Sequence, residues 1–280
     1  LRLGCHISIS KGFASAVETA HGLGAESLQF FTKNPRAFKG KAADPTEAAK
    51  GRLLLEKYGL VAVAHAPYIT NLSTPDPELR EISIASLRQD LENAEAYGAV
   101  GCVCHMGKHV GGGEEAGVRL MVETLDLLLE AHQGPCLLLL ENTAGQGSEL
   151  GMTMEQCLET RSRVAQPHRI GFCFDTCHAF AAGAYTVENW ADFVATGKRI
   201  GYWDLLKAIH LNDTKHENGS KKDRHERLGK GFIGEAGMTA ILRSGAFDGL
   251  PVILETPVDD ESEYGPEMVY ARSLLTAVEK

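Results

Sequence analysis

Three features of the sequence predict a TIM (β/α)8 barrel. Eight short, nearly continuous apolar runs rich in β-formers recur along the chain, mostly thirty-odd residues apart. Such runs are what strands need when helices cover a parallel sheet. Segments of helical periodicity lie between them. No GxGxxG turn follows the first run, and that turn usually marks the competing open, doubly wound sheet.

The runs are GCHISIS near residue 4, SLQFF near 27, VAVAHA near 61, AVGCVCH near 99, CLLLLEN near 136, IGFCFDT near 170, LKAIHLND near 206 and PVILET near 251. Between the third and fourth, Ile84, Leu87, Leu91 and Ala94 recur at helical spacing. Between the fourth and fifth, Val118, Met121, Val122, Leu125, Leu128 and Leu129 do the same. Asp76 before Pro77 reads as an N-cap and first helical position, and Gly98 as a C-terminal stop. No linker, low-complexity tract or close repeat divides the chain, so residues 1–280 are expected to form one domain.

Composition narrows the function classes. At 44% hydrophobic and 23% charged residues the chain is of ordinary globular type, and no apolar run approaches the ~20 residues that span a bilayer. LRLGCHISIS lacks the basic segment, apolar core and cleavage site of a secretory signal. Seven cysteines, odd in number and without a CxxC pair, argue against a disulfide framework and against a thiolate zinc site. Buried, reduced thiols in a cytoplasmic protein are expected. A net charge of −9 runs against nucleic-acid binding, which ordinarily needs a basic face.

In a barrel the chemistry lies at the C-terminal ends of the strands, so the polar residues closing each run carry the information. His65, His105, Glu141, Asp175, His210 and Glu255 close the third to eighth runs, and His178 follows just beyond the sixth. Asp223 and His225 lie in KKDRHERLGKG, after the seventh. Any one of these alone reads as a hydrogen-bonded structural residue or a helix cap. Together, five imidazoles and four carboxylates face one mouth. Such carboxylates would repel one another unless cations sat among them. Mixed His and Asp/Glu ligation without thiolate suits Zn²⁺, Mn²⁺ or Fe²⁺, and nine donors are enough for two or three ions. Three divalent ions would take the formal charge from −9 to −3. His6 and His109 stand as candidates behind the ligands, whereas His21, His132, His168 and His216 read as surface residues.

Several stretches together resemble endonuclease IV, the metal-dependent apurinic/apyrimidinic endonucleases: FTKNPRAF, HAPYITNLS, LENTAGQGSELG, FDTCHAFAAGAY, HLNDTKHENGSKKDRHERLGKGFIG and ILET. The resemblance implies a DNA repair enzyme that uses three metal ions, most readily Zn²⁺, to cut duplex DNA on the 5′ side of an abasic site and leave a 3′-hydroxyl. It implies a first ion on His65, His105 and Glu141, with Glu141 bridging to a second on Asp175, His210 and Glu255. It implies a third on His178, Asp223 and His225. Glu141 and Glu255 would serve catalysis as ligands. One departure is HMGKH at 105–109, where Met106 replaces the family's frequent proline and puts contacts from Lys108 or His109 in question.

Substrate selection then falls to the loops. FTKNPRAFKGK places Lys33, Arg36, Lys39 and Lys41 after the second run, and HENGSKKDR places Lys221, Lys222 and Arg224 after the seventh. Local basic loops can outweigh a distant acidic back. By the resemblance, Arg36, Tyr68 and Ile69 occupy positions from which the family inserts side chains into the DNA stack to extrude the abasic nucleotide. Duplex DNA with an abasic site is the expected partner, with no protein partner implied. Two alternatives stand beside this reading: a two-metal sugar isomerase or epimerase on the same barrel, and a metal-dependent damage binder that does not cut.

Overall fold

A computed structural model of the chain describes residues 1–276. Each of the eight apolar runs contributes one stave: β1 (Arg2–His6), β2 (Ser27–Phe31), β3 (Val61–His65), β4 (Gly101–His105), β5 (Leu137–Glu141), β6 (Ile170–Asp175), β7 (Leu206–His210) and, after a two-strand ribbon of β8 (Asp213–Thr214) and β9 (His225–Glu226), β10 (Pro251–Leu254). The staves close into a parallel barrel in chain order, with β10 paired to both β7 and β1. This is a TIM barrel, as the run pattern predicts. The single-domain expectation extends over positions 277–280, which lie outside the described residues.

The helices form where the sequence signals them. In α3 (Pro77–Tyr97) the Asp76 carboxylate accepts from the amides of Glu78 and Leu79, and Pro77 takes the first helical position, where its missing N–H costs nothing. Gly98 ends the helix at φ 75, a left-handed conformation that favours glycine. In α4 (Glu114–Ala131), Val118, Met121, Leu125, Leu128 and Leu129 are buried as one stripe against the barrel. The remaining helices are α1 (Phe13–Gly22), α2 (Pro45–Tyr58), α5 (Met154–Arg163), α6 (Thr176–Ala182), α7 (Trp190–Arg199), α8 (Gly234–Arg243) and α9 (Tyr264–Thr276).

Strand periodicity places the site. Val63, Val103, Leu139, Cys173 and Ala208 form a separate buried cluster in the barrel. Two residues further along the same five strands stand His65, His105, Glu141, Asp175 and His210. Because side chains two apart share a face, the polar five lie one layer above this apolar plug.

Two expectations about burial separate here. All seven cysteines are buried and unbridged, and burial pushes the Cys177 thiol up to about 12, so it is a packing residue beside His178. His132, expected at the surface, is instead buried at 4% exposure. Arg169 donates to its carbonyl at 2.7 Å and lies 2.9 Å from its Nδ1, a long-range contact that helical position alone does not announce. No helix among the described residues is long and apolar enough to cross a membrane.

Candidate metal centre

The nine candidate side chains converge on the C-terminal mouth of the barrel. Among the described residues five groups have donor atoms within 4.8 Å of one another, and three of them together hold all nine candidates: His65, His105 and Glu141; Glu141, Asp175, His210 and Glu255; and His178, Asp223 and His225. The other two, His65, His210 and Glu255, and Asp175, Cys177 and His225, overlap them. Glu141 belongs to two of the first three.

Hydrogen bonds decide which nitrogen of each imidazole faces the centre. His65 Nδ1 lies 2.6 Å from the Ala66 carbonyl, His178 Nδ1 lies 2.9 Å from that of Asn142, and His225 Nδ1 lies 3.1 Å from that of Glu255. A carbonyl only accepts, so each Nδ1 carries a proton and each Nε2 turns its other side inward. There it meets a carboxylate oxygen: His65 Nε2 stands 3.4 Å from Glu141 Oε2, and His178 and His225 Nε2 stand 3.2 and 3.3 Å from Asp223 Oδ1. His105 Nε2 lies 3.2 Å from Glu141 Oε2, and His210 Nδ1 lies 2.9 Å from Glu141 Oε1 and 3.1 Å from Glu255 Oε2.

A ring nitrogen and a carboxylate oxygen in such contact need a proton or a metal cation between them. Two ligands of one tetrahedral ion, each about 2.0–2.1 Å from it, stand roughly 3.3 Å apart. Four of the six separations above lie at 3.2–3.4 Å, and the two from His210 Nδ1 are shorter, at 2.9 and 3.1 Å. Moreover, Glu141 Oε2 and His225 Nε2 are buried and have no hydrogen-bond partner among the described residues, the condition that a bound ion would relieve. The donor set of imidazole and carboxylate, without thiolate, therefore fits divalent metal ions of the zinc, manganese or iron type.

Electrostatics point the same way. Burial alone would raise the Glu141 carboxyl, but His210 and His105 hold it well below the usual carboxylate range. Burial opposes charge on His178, yet Asp175 and Asp223 raise its imidazole well above its ordinary value. Burial is likewise overcome at His225, where Asp223 and Asp175 bring the ring to about 9. These carboxylates are strong enough to hold positive charge beside them, and a metal ion entering the cluster would displace the imidazole protons.

Asp175 does two jobs at the end of β6. Its Oδ1 accepts from the His178 amide at 2.7 Å and caps α6, while its Oδ2 accepts from Asn212 Nδ2 at 2.8 Å and faces His225 and His210 at 3.7 and 3.9 Å. The cap and the shared-donor readings of this residue are thus compatible, one for each oxygen. Asn142 Oδ1 accepts from the Asp175 amide, and Asn212 Oδ1 accepts from that of Glu255.

The third group depends on a loop built by Asp213. This fully buried carboxylate accepts from the amides of Thr214, Ile233, Gly231 and Gly234 at 2.7–3.1 Å. Gly231 is needed there, because a Cβ would stand 2.2 Å from the Thr214 carbonyl oxygen and 2.5 Å from Asp213 Oδ1. The β8–β9 ribbon pairs Thr214 with His225 and so brings His225 and neighbouring Asp223 back over the barrel. HLND and GKG, well separated in sequence, form one device.

Over residues 17–276 the chain matches the family model described as "Xylose isomerase-like TIM barrel". It is 73% identical over 275 residues, covering 98% of this chain and all of the relative, to "Probable endonuclease 4" of Symbiobacterium thermophilum. The chain belongs to the endonuclease 4 family. The crystal structure of endonuclease IV from Thermus thermophilus superposes at a TM-score of 0.86 with 34% identity, over 98% of this chain and 99% of that one. A D-tagatose 3-epimerase-like protein also superposes, at 0.70 with 20% identity over 96% of each chain, a likeness of fold alone.

Around the mouth of this endonuclease 4 family member the structure arranges the expected rim, with one correction. Arg36, Lys221, Lys222 and Arg224 are exposed, and Ile69 is half-buried. Tyr68 is 55% exposed, and its ring lies 5.6 Å from that of His65 and 5.8 Å from that of His105. The Tyr68 amide donates to the Pro35 carbonyl, which ties the loop after β3 to the loop carrying Arg36. A cleft of about 490 Å³ opens between Tyr68, Ile69, His105, Lys108, Asp223 and Arg224.

Lys33, expected to contact DNA, offers no charge to this rim. Its side chain is 2% exposed, with Nζ 2.9 Å from Asp90 Oδ2 and 2.8 Å from the Ser86 carbonyl. The buried Asp90 carboxylate, which also accepts from the Thr32 hydroxyl, would be costly without that partner. The ammonium therefore pins the loop to α3, and the reading of Lys33 as a DNA contact is corrected.

Met106 turns inward as well. It is fully buried, with Sδ 3.5 Å from Cys157 Sγ, and its carbonyl accepts from Ser73 Oγ. The following loop is held by Lys108, whose Nζ lies 3.3 Å from Glu149, and His109 Nδ1 accepts from the Gly113 amide. Sequence reasoning missed Gln29, Asn142 and Asn212. The two asparagines directly follow Glu141 and precede Asp213 in their motifs, whereas the signal for Gln29 is a single amide on the inward face of SLQFF.

Proposed function

We propose that the chain hydrolyses the phosphodiester bond 5′ to abasic sites in duplex DNA, leaving a 3′-hydroxyl, with three divalent ions, most readily Zn²⁺. The first would lie on His65, His105 and Glu141, the second on Glu141, Asp175, His210 and Glu255, and the third on His178, Asp223 and His225. The observation that carries this reading is the third group of donors beside a bridged pair. A two-metal sugar epimerase on this barrel has no use for it, and a DNA binder without cleavage has no need of the full set.

Bound ions would supply an activated water for in-line attack and stabilise the departing oxygen. The chain's own contribution is to hold the donors rigidly on strand ends, exclude bulk water with the buried layer beneath, and orient the backbone through the rim. No side-chain nucleophile is assigned, because Cys177 is a buried thiol of raised pKa. Arg36, Lys221, Lys222 and Arg224 would contact phosphates, and Tyr68 and Ile69 would fill the stack beside an extruded abasic nucleotide. Loss of the base lowers the cost of extrusion, which favours the damaged site. Such an enzyme would work in the cytoplasm with access to DNA.

The deciding experiment incubates the purified protein with a duplex containing one tetrahydrofuran abasic analogue. A single nick 5′ to the lesion, lost after chelator treatment and restored by Zn²⁺ or Mn²⁺, is expected. An intact duplex under metal-replete conditions, with turnover of a ketose instead, would sink the nuclease reading. For Tyr68→Ala, binding to abasic duplex should weaken by roughly tenfold or more, the scale of one aromatic–base stack. Metal content should stay unchanged. Undiminished preference for abasic over intact duplex would remove Tyr68 from the wedge.

A further inference from the structure

We propose that Gln29 is a positioning residue of the centre, holding His210 in its Nε2–H form while turning Glu255 Oε2 towards His210 Nδ1. The inference rests on the three-ion reading above and adds a residue to it. Gln29 is fully buried in the middle of β2, beside His6 of β1 in the strand register. Its Oε1 lies 2.7 Å from His210 Nε2, its Nε2 lies 2.5 Å from Glu255 Oε1, and the same nitrogen lies 3.2 Å from His6 Nδ1.

The chemistry of these partners leaves one arrangement. Glu255 can only accept when ionised, so the carboxamide must present its NH2 group there, with its second hydrogen available to His6 Nδ1. The amide oxygen is thereby directed at His210, and it can only accept. His210 Nε2 must carry the proton. With a metal ion bound among these groups, its Nδ1, 2.9 Å from Glu141 and 3.1 Å from Glu255, would present its lone pair to that ion. Flipping the amide would set oxygen against carboxylate at 2.5 Å.

His65, His178 and His225 obtain the same service from backbone carbonyls and use Nε2 as donor. His210 differs in two respects: it is to donate through Nδ1, and it is oriented by a replaceable side chain. Glutamine suits the task because it supplies one acceptor and two donors at once. Glutamate would only accept and would repel Glu255, and asparagine is one methylene shorter. The effect should therefore be confined to the ion shared by Asp175, His210 and Glu255.

The test uses full-length wild-type protein and Gln29→Met, both loaded with zinc and dialysed against a graded series of chelator, with ions per chain counted by mass spectrometry. In the variant, one ion is expected to leave at a chelator strength about 10–100-fold lower than in wild type, the usual effect of removing a ligand's orienting partner. The other two should leave as in wild type. Three ions held equally tightly by both proteins would overturn the proposal. So would uniform loosening of every ion together with a lower melting temperature of the chelated protein, which would mark a merely structural role. A variant that fails to fold leaves the second measurement in force: imidazole ¹⁵N spectra of zinc-loaded wild type. These should show His210 as the neutral Nε2–H tautomer, and an Nδ1–H tautomer would overturn the proposal. Failure of the wild-type protein to retain any ion would instead bring down the metal-centre reading itself.

Discussion

Glu141→Gln should abolish cleavage to within about a thousandth of the wild-type rate while leaving the barrel folded. Glu141 is 1% exposed and its oxygens lie within 3.4 Å of His65, His105 and His210, so a single substitution disturbs both groups that share it. Glutamine keeps the shape but replaces one acceptor oxygen with an NH2 donor aimed at imidazoles that need to face a cation. Loss of several kcal/mol of transition-state charge stabilisation corresponds to roughly 10³-fold in rate. Metal content should fall below that of the wild type, and single-turnover nicking of an abasic duplex reads the chemical step directly. A variant with more than a tenth of wild-type activity would show that Glu141 does not bridge two ions. The circular dichroism spectrum should be unchanged, because the apolar layer of Val63, Val103, Leu139, Cys173 and Ala208 lies below the substitution.

Asp213→Ala should produce the largest loss of stability among the residues near the mouth. Its carboxylate satisfies four backbone amides that no other described side chain reaches. Leaving buried donors unsatisfied costs about 1–3 kcal/mol for each group, and partial entry of water brings the expected total to roughly 3–5 kcal/mol. For a chain of this size that corresponds to a fall of roughly 10 °C in melting temperature. The loop from Asp223 to Gly231 should loosen with it. Zinc analysis of the surviving folded fraction should show one ion fewer, since Asp223 and His225 are carried on that loop. Asp213→Asn, which keeps one accepting oxygen, should fall between the two. A melting temperature within about 2 °C of wild type would show that the loop is organised without the carboxylate. Such a result would leave the Glu141 prediction untouched, because the groups of His65, His105 and His210 are carried by strands alone.

Much of this molecule is legible in its sequence for a local reason. A stave covered on its outer face by helices must be apolar almost throughout, so the polar residue that ends it stands out. That contrast sufficed to identify the barrel and to nominate His65, His105, Glu141, Asp175, His210 and Glu255. His178 and the Asp223–His225 pair were legible less directly, from their place in the segments after the sixth and seventh strands, since each follows a strand end by a different length of loop.

Architecture and the inventory of donors could be read along the chain because strand and helix periodicities are properties of neighbouring residues. Other features came into view only with the closed barrel: which donors share a centre, that Gln29 of β2 reaches across to His210 and Glu255, that Lys33 is consumed by Asp90, and that Asp213 builds a loop. Each of those facts is a distance between segments far apart in the chain. Closure of the barrel sets such distances, and spacing along a polypeptide carries no record of them.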